Sequence, residues 1–576
     1  MHILGIHFGS HDTCAALVEN GRLVAVMEQE RFDHHKHTIA FPKDAIDYCL
    51  KAGGMVLEDL DYLAYGSDCA VANEYKRKFI EKGYAEFRPD MLEQDRIEQF
   101  IAEQAGGRPA FYHVDHHLAH AASTFFTSPY EEAAIYTVDG MGNWMTASQN
   151  IGRGNSIEVV ERTPYPHSLG MFYGAITQLL GFKASRDEGK VMGLAPYGSA
   201  KLVHKVRQLC QVQDGEFTLD LSYFDFHRQP LMKPDGTFHR WYSPKMADVF
   251  GPAREPESEL TARDADLAYA CQAVLEEMVY AILHRFHRRY PLANLCLAGG
   301  VALNSTLNGK IAEHTPYQNV FVVPAANDAG VALGAALYCS SQKAGNFKRH
   351  ELTHAYFGSE YSPEEMARAL KNLPQGVTFS KPDDMVAEMA TLLRNYRIVG
   401  RYDGRMEFGP RALGNRSILA NPAKPEMKDI INAKVKFREG FRPFAPVATL
   451  ENADEFFEMD FDSPFMLKIV QVKEDKQNLI PAVVHVDKSA RVQTVSEDQN
   501  PPLHRLLVEM GKNGGVPVLL NTSFNIRGDT IVRTPEDAVR CFLKTGMDAL
   551  ALGPYLAVKR DNLKQVQAID LREKKS

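Results

Sequence analysis

The sequence predicts an α/β protein: a duplicated α/β core in residues 1–350, followed by a second α/β domain in residues 351–576. Three observations carry this expectation. A short apolar strand running into an acidic, glycine-containing turn occurs at residues 3–8 and again at 133–138, roughly 130 residues apart. Further buried strands ending in glycine, alanine and aspartate follow at 295–300 and 321–324. The periodicity then breaks over 340–362 and restarts at Pro363 with a helical run, EEMARALKNL.

The elements follow in order. Residues 3–8 are apolar and short, Gly9-Ser10-His11-Asp12 interrupts them, and 14–18 and 23–27 flank Glu19-Asn20-Gly21. Asn-Gly between two apolar runs is a strong hairpin signal, because both central residues of the turn need positive φ. The actin/hexokinase class of ATPases presents its phosphate loops on such hairpins. The second unit reads as a strand over 133–138, the turn Asp139-Gly140-Met141-Gly142, and a resumed strand over 144–148. Residues 331–338 read as a small-residue helix lying close against a sheet, and the last residues, ending REKKS, as a frayed tail.

Composition bounds the function. Apolar residues at 45% and charged residues at 24% are ordinary for a globular chain, which excludes collagen, coiled coil and general disorder. There are 65 basic against 73 acidic residues, a net charge of −8, which argues against a general nucleic-acid binder. Eight cysteines without a C-x-x-C pair fit reduced thiols in a cytoplasmic protein. The start MHILGIHFGSHD lacks the features of a signal peptide, and no apolar run approaches the ~18–20 residues of a membrane helix. No membrane partner is expected.

Two clusters carry chemistry. In HVDHHLAH, Asp115 can cap a helix that places His116 and His120 at i and i+4, on one face and within reach of one ion. A hydrogen-bonded helix start is the alternative. Asp139 and Asp328 each follow an apolar strand and precede small residues, so each is either a turn former or a carboxylate exposed at a strand end. Two imidazoles and two carboxylates suit Fe(II), Mn(II) or Zn(II) better than Ca(II). His11 at the first turn could contact phosphate or take a proton from a hydroxyl. Lys36 is a phosphate or substrate contact, or part of a solvated loop. Gly299, Gly300 and Asn304 would bring a helix N-terminus close to a nucleotide. In the second half, Arg405, Arg411 and Arg416 lie among glycines, followed by Asn432, Lys434, Lys436, Arg438, Arg442 and Arg491, and by Asn521-Thr522-Ser523 through Arg527. Such a gathering reads as an anion pocket, or as scattered surface ion pairs.

Together, G-x-H-D-x-x-A-A-L, E-x-E-R-F, H-H-L-A-H-A-A-S, V-D-G-x-G, K-V-M-G-L-A-P-Y-G, G-G-V-A-L-N, N-D-x-G-x-x-L-G-A-A, G-R-x-E-x-G-P-R-A-L-G-x-R-S, R-P-F-A-P and L-N-T-S-F-N-x-R-G resemble the O-carbamoyltransferase family of nodulation-factor and antibiotic pathways. The resemblance covers nearly the whole chain. It implies an actin/hexokinase-like, TsaD-like N-terminal domain and a YrdC-like C-terminal domain. It implies carbamoyl phosphate and ATP, with magnesium, as substrates, a carbamoyl-adenylate intermediate, and a small-molecule hydroxyl as acceptor. It also implies that His116, His120, Asp139 and Asp328 hold a metal, iron first, with manganese or zinc as alternatives. His11 then stands beside the transferred group. Lys36 contacts nucleotide on the N-terminal side, with Gly299, Gly300 and Asn304. Arg411, Lys436, Arg442, Arg491, Asn521, Ser523 and Arg527 form the carbamoyl phosphate and ATP pocket. An internal route between the two sites would spare the intermediate from water; a homodimer is one expectation, and the sequence leaves the oligomeric state open. Residues 200–262 match no motif, which leaves the acceptor open. Two alternatives are a tRNA threonylcarbamoylation enzyme, disfavoured by the net charge, and a small-molecule kinase of the actin/hexokinase class, which gives the arginines after residue 400 no task.

Overall fold

The structure is a computed structural model describing residues 1–84, 89–107, 109–213, 216–233 and 237–560. The expected frayed tail lies outside the described residues. The chain divides into two compact units: Met1–Gln29 with Ile39–Leu352, and Glu30–Thr38 with Thr353–Ser576.

The first unit contains two five-stranded sheets of one design. In the first, β1 (His2–His7), β2 (Cys14–Glu19) and β3 (Arg22–Glu28) form an antiparallel meander, and β4 (Tyr62–Tyr65) and β5 (Phe111–His113) extend it in parallel from β1, giving the order 3-2-1-4-5. In the second, β6 (Glu132–Gly142), β7 (Met145–Arg153) and β8 (Ser156–Pro164) repeat the meander. After a small hairpin of β9 (Cys210–Gln213) and β10 (Glu216–Leu219), β11 (Asn294–Ala298) and β12 (Asn319–Val322) pair in parallel outward from β6. The order β12-β11-β6-β7-β8 is the first sheet over again, in strand sequence and in direction. The duplication expected from two turns is therefore a duplication of whole sheets, the arrangement of the actin/hexokinase class.

Strands β1, β2 and β11 are short and apolar because both faces of the sheet are covered where they lie. Close packing explains the small residues of the helix Ala329–Lys343: a Cβ on Gly334 would lie 1.7 Å from the Ala119 carbonyl oxygen, so only glycine admits the helix His116–Phe125 at this distance. That approach fixes the helix that carries both candidate imidazoles.

The second unit is built on one eight-stranded mixed sheet. Its strands are β13 (Val377–Ser380), β14 (Val399–Tyr402), β15 (Arg416–Ala420), β16 (Ala445–Thr449), β19 (Gln493–Val495), β20 (Val518–Ser523), β21 (Ala549–Leu552) and β22 (Tyr555–Lys559), in the order β13-β22-β21-β14-β15-β20-β16-β19; β17 (Val470–Gln471) and β18 (Ser489–Ala490) pair separately. Successive strand residues face opposite sides. Leu419, Leu519 and Ala551 accordingly pack with the helices Met385–Arg394 and Pro501–Gly511, while Ile418, Leu520 and Leu550 pack with Phe542 and Ile431 on the other side. The helix expected from Pro363 forms, as Pro363–Ala369, with Ser362 and Glu365 closing a capping box at its start.

Candidate active site

One helix, the start of another and strand β6 of the first unit bring four buried side chains together. Asp115 accepts from the Leu118 N–H at 2.9 Å and caps the helix His116–Phe125, as its sequence position implies. One turn apart, His116 and His120 present Nε2 to the same point. His116 Nε2 lies 3.3 Å from Asp139 Oδ2 and 3.5 Å from Asp328 Oδ1. His120 Nε2 lies 3.4 Å and 3.5 Å from the same two oxygens. Four donors around one ion at ~2.1 Å would stand about 3.0–3.4 Å apart, close to this spacing. Both nitrogens of His120 and Oδ1 of Asp328 are buried without a hydrogen-bond partner. Orphaned, converging N and O atoms are what a divalent metal satisfies, so the residues fit the metal that the sequence implies. The notion of a mere helix start does not explain them. His117 turns away, and its Nδ1 meets Thr137 Oγ1 at 2.8 Å.

Each carboxylate is tied back by its second oxygen. Oδ1 of Asp139 accepts from the N–H groups of Gly140 at 2.8 Å and Gly300 at 3.1 Å. Oδ2 of Asp328 accepts from the Ser10 hydroxyl at 2.6 Å. Gly300 thus braces this four-residue cluster directly. Gly299 sits at φ 94°, where a Cβ would lie 2.2 Å from the Val138 carbonyl oxygen. Asn304 caps the helix Ser305–His314 through Leu307 N–H at 2.9 Å and exchanges hydrogen bonds with Gln272.

Electrostatics follow from the geometry. Burial opposes charge on His116, yet the charges and hydrogen bonds of Asp328 and Asp139 outweigh it and push its pKa up to about 10. Burial also opposes ionisation of the two carboxyls, as does their mutual repulsion at Asp139. The facing imidazoles hold both well below the usual carboxylate range. Burial, with the neighbouring imidazolium charges, pushes His117 down to about 3, so it stays neutral. His11 lies on the turn after β1 with Nδ1 2.9 Å from Asp12 Oδ2, which also accepts from Asn327 Nδ2 at 2.8 Å. Burial opposes its charge, while the Asp12 hydrogen bond and the charges of Asp328, Asp12 and Asp139 push it up to about 10.

The second unit holds a different centre. Arg411, Lys436, Arg438, Arg442 and Arg491 crowd together, and among the described residues no carboxylate lies within ion-pair distance of Arg411, Arg438 or Arg491. Burial, then Arg442, pushes Arg411 down to about 10 and Arg438 to about 9; burial with Arg411, Arg438 and Arg442 holds Arg491 well below its ordinary value. A guanidinium stays charged in proteins, so these directions express how strongly the site calls for an anion. Lys436 Nζ is gripped by the Ser523 and Asn525 carbonyl oxygens and by Ser523 Oγ at 3.0 Å. Asn521 Nδ2 donates to Gln493 Oε1 at 2.8 Å, Gln493 Nε2 donates to the Leu413 carbonyl at 2.7 Å, and Asn521 Oδ1 is buried without a partner. Arg527 stands exposed, 3.7 Å from Glu439.

Two sequence readings change place here. Arg416 looks like a pocket cation, but its guanidinium donates to the carbonyls of Asp403, Asn415, Ser359 and Gly404 and stacks 3.7 Å from the Tyr402 ring centre. Arg405 likewise donates to the Phe357 and Gly358 carbonyls. Lys36 lies in Glu30–Thr38, the segment that clusters with the second unit, and its charge is felt at Lys436. Arg31 of that segment donates to the Gly409 carbonyl at 3.0 Å, two residues before Arg411. Arg438 belongs to the basic run that reads as an anion pocket; Ser10, His7 and Asn327 carry no signal in spacing alone.

Residues 2–337 match the family described as carbamoyltransferase N-terminus, and residues 390–559 match carbamoyltransferase C-terminus. The chain belongs to the carbamoyltransferase family. It is therefore an enzyme of carbamoyl transfer. Nodulation protein NolNO of Sinorhizobium fredii is 37% identical over 96% of this carbamoyltransferase and 79% of its own length. Nodulation protein U of Rhizobium tropici is 30% identical over 94% and 93%. The 3'-hydroxymethylcephem-O-carbamoyltransferase of Amycolatopsis lactamdurans is 26% identical over 94% and 96%. Among solved structures, the ROK hexokinase from Thermus thermophilus overlaps 59% of the chain and 98% of its own at 16% identity and a TM-score of 0.29; HypF of T. kodakarensis overlaps 60% and 49% at 14% and 0.32. No helix among the described residues is long and apolar enough to cross a membrane.

Proposed function

We propose that this carbamoyltransferase is an ATP-dependent O-carbamoyltransferase working in two steps on a small-molecule alcohol. The observation that carries the two-step reading is the second charge centre. A one-step kinase on a duplicated core needs no cluster of Arg411, Arg438, Arg442 and Arg491 in another unit; an enzyme handling both carbamoyl phosphate and a triphosphate does.

In the first step, carbamoyl phosphate and ATP bind among these cations with Lys36, Lys436, Asn521, Ser523 and Arg527. Water opens carbamoyl phosphate to carbamate and phosphate. Carbamate oxygen then attacks the α-phosphorus of ATP, and pyrophosphate leaves. The product is carbamoyl-adenylate, a mixed anhydride with a better leaving group for an alcohol than carbamoyl phosphate offers. Magnesium accompanies the ATP, as the resemblance implies.

In the second step, Gly299, Gly300 and Asn304 border the nucleotide side, and His116, His120, Asp139 and Asp328 hold the metal, iron(II) by family resemblance. When bound, the metal neutralises Asp139, Asp328 and the phosphate of the leaving AMP. His11, oriented by its Asp12 hydrogen bond, stands as the group that would take the proton of the acceptor hydroxyl. The new bond joins the acceptor oxygen to the carbamoyl carbon, and AMP departs.

The test is a panel of alcohols (a sugar, an aminoglycoside, a macrolide, an alkaloid) supplied with ATP, carbamoyl phosphate, magnesium and iron(II). An alcohol that accelerates AMP release and gains the mass of one carbamoyl group identifies the acceptor. Carbamoylated product formed equally well without ATP refutes the adenylate route.

A further inference from the structure

The two metal-facing carboxylates are held by different means. Asp139 is fixed by backbone N–H groups of Gly140 and Gly300, which no side-chain change removes. Asp328 is fixed by side chains. Its Oδ2 accepts from the Ser10 hydroxyl at 2.6 Å, and Ser10 Oγ lies 2.7 Å from His7 Nε2, which is itself 3.3 Å from Oδ2. His7 and Asp328 are buried.

The protons can be assigned. The single hydroxyl proton of Ser10 goes to the carboxylate, because an ionised carboxylate only accepts. Ser10 Oγ must then accept from His7, so His7 carries its proton on Nε2. The other ring nitrogen, Nδ1, is buried without a partner, as this tautomer leaves it: an acceptor with nothing to accept. The chain His7 Nε2–H to Ser10 Oγ–H to Asp328 Oδ2 therefore runs in one direction. It occupies Oδ2 and leaves Oδ1, orphaned and facing both imidazoles at 3.5 Å, as the one oxygen available to an ion.

We propose that Ser10 and His7 are positioning residues that fix Asp328 as a one-oxygen ligand and so set the metal affinity of the cluster. The inference rests on the reading that His116, His120, Asp139 and Asp328 hold the metal. Partners of ligating carboxylates commonly contribute roughly tenfold to hundredfold in affinity. Ser10 lies on the turn joining β1 to β2, so the first meander reaches Asp328, at the start of the helix Ala329–Lys343, through this hydroxyl.

The experiment is a titration of chelator-stripped full-length protein with Co(II), followed by its visible absorption and by equilibrium dialysis, at fixed pH. Wild type is expected to bind one ion per chain. Ser10→Ala is expected to bind roughly tenfold to hundredfold more weakly, with an altered absorption envelope, while Ser10→Thr, which keeps the hydroxyl, stays near wild type. His7→Gln retains an N–H near the Nε2 position and is expected to hold most of the affinity; His7→Leu is expected to lose it. The melting temperature of each variant in chelator separates misfolding from lost positioning. Equal affinity and spectra for wild type, Ser10→Ala and His7→Leu overturn the inference while leaving the metal site in place. No Co(II) binding by wild type overturns the metal reading itself.

Discussion

The backbone N–H of Gly300 donates to Oδ1 of Asp139 at 3.1 Å, and a Cβ added to Gly300 would meet that same oxygen at 2.9 Å. The glycine is therefore a donor and a spacer at once. Gly300→Ala should push the carboxylate off its line to His116 and His120. The expected result is a roughly tenfold weaker Co(II) affinity with little change of stability. Dialysis that shows undiminished affinity would mean the carboxylate adapts.

The cluster also makes a pH prediction. In chelator, His116 is raised from 6.5 to about 10 by Asp328 and Asp139 against the cost of burial. A raised value binds protons more tightly in the folded state, so its stabilisation is fully present below pH 6.5 and is lost as pH rises through about 10. Urea denaturation of stripped protein should show stability declining between those limits. Bound metal must displace this proton, so calorimetry in buffers of different ionisation enthalpy should report proton release near neutral pH. Proton-free binding there would contradict the ligand assignment of His116.

In the second unit, Arg491 is crowded by Arg411, Arg438 and Arg442. Without an anion the four charges repel. Arg491→Leu is expected to raise the melting temperature in anion-free buffer by a few degrees and to abolish the rise that pyrophosphate gives wild type. A variant that is no more stable, and is still stabilised by pyrophosphate, would remove Arg491 from the pocket.

Glu407 is buried, and its Oε1 accepts the N–H groups of Leu413, Asn415 and Arg416 at 2.8, 2.8 and 3.1 Å. This carboxylate folds the loop that presents Arg411. Glu407→Ala leaves three buried donors unpaired, at about 1–3 kcal/mol each before relaxation, so a loss of several kcal/mol is expected by urea denaturation. Glu407→Gln keeps an acceptor oxygen and should lose far less.

Much of the fold was legible because turn chemistry is local. Asn20-Gly21 marks the first meander, and Asp139 marks the second. Strand β8 was missed, since SIEVVERTP is only half buried and alternates weakly. That His116, His120, Asp139 and Asp328 come together was legible because His116 and His120 share a helix face and each aspartate follows an apolar run. What supports it was not: the pairing of Ser10 with Asp328 spans 318 residues and exists only after folding. Arg416 misleads for a related reason. Sequence shows a cation among glycines, but only the fold shows that its donors end on backbone carbonyls.

The most direct test of the two-step account is pyrophosphate release from ATP by the purified enzyme, with and without carbamoyl phosphate. The account expects pyrophosphate that depends on carbamoyl phosphate, appears without any alcohol, and is lost in Arg442→Ala. ADP formation indifferent to carbamoyl phosphate would contradict it.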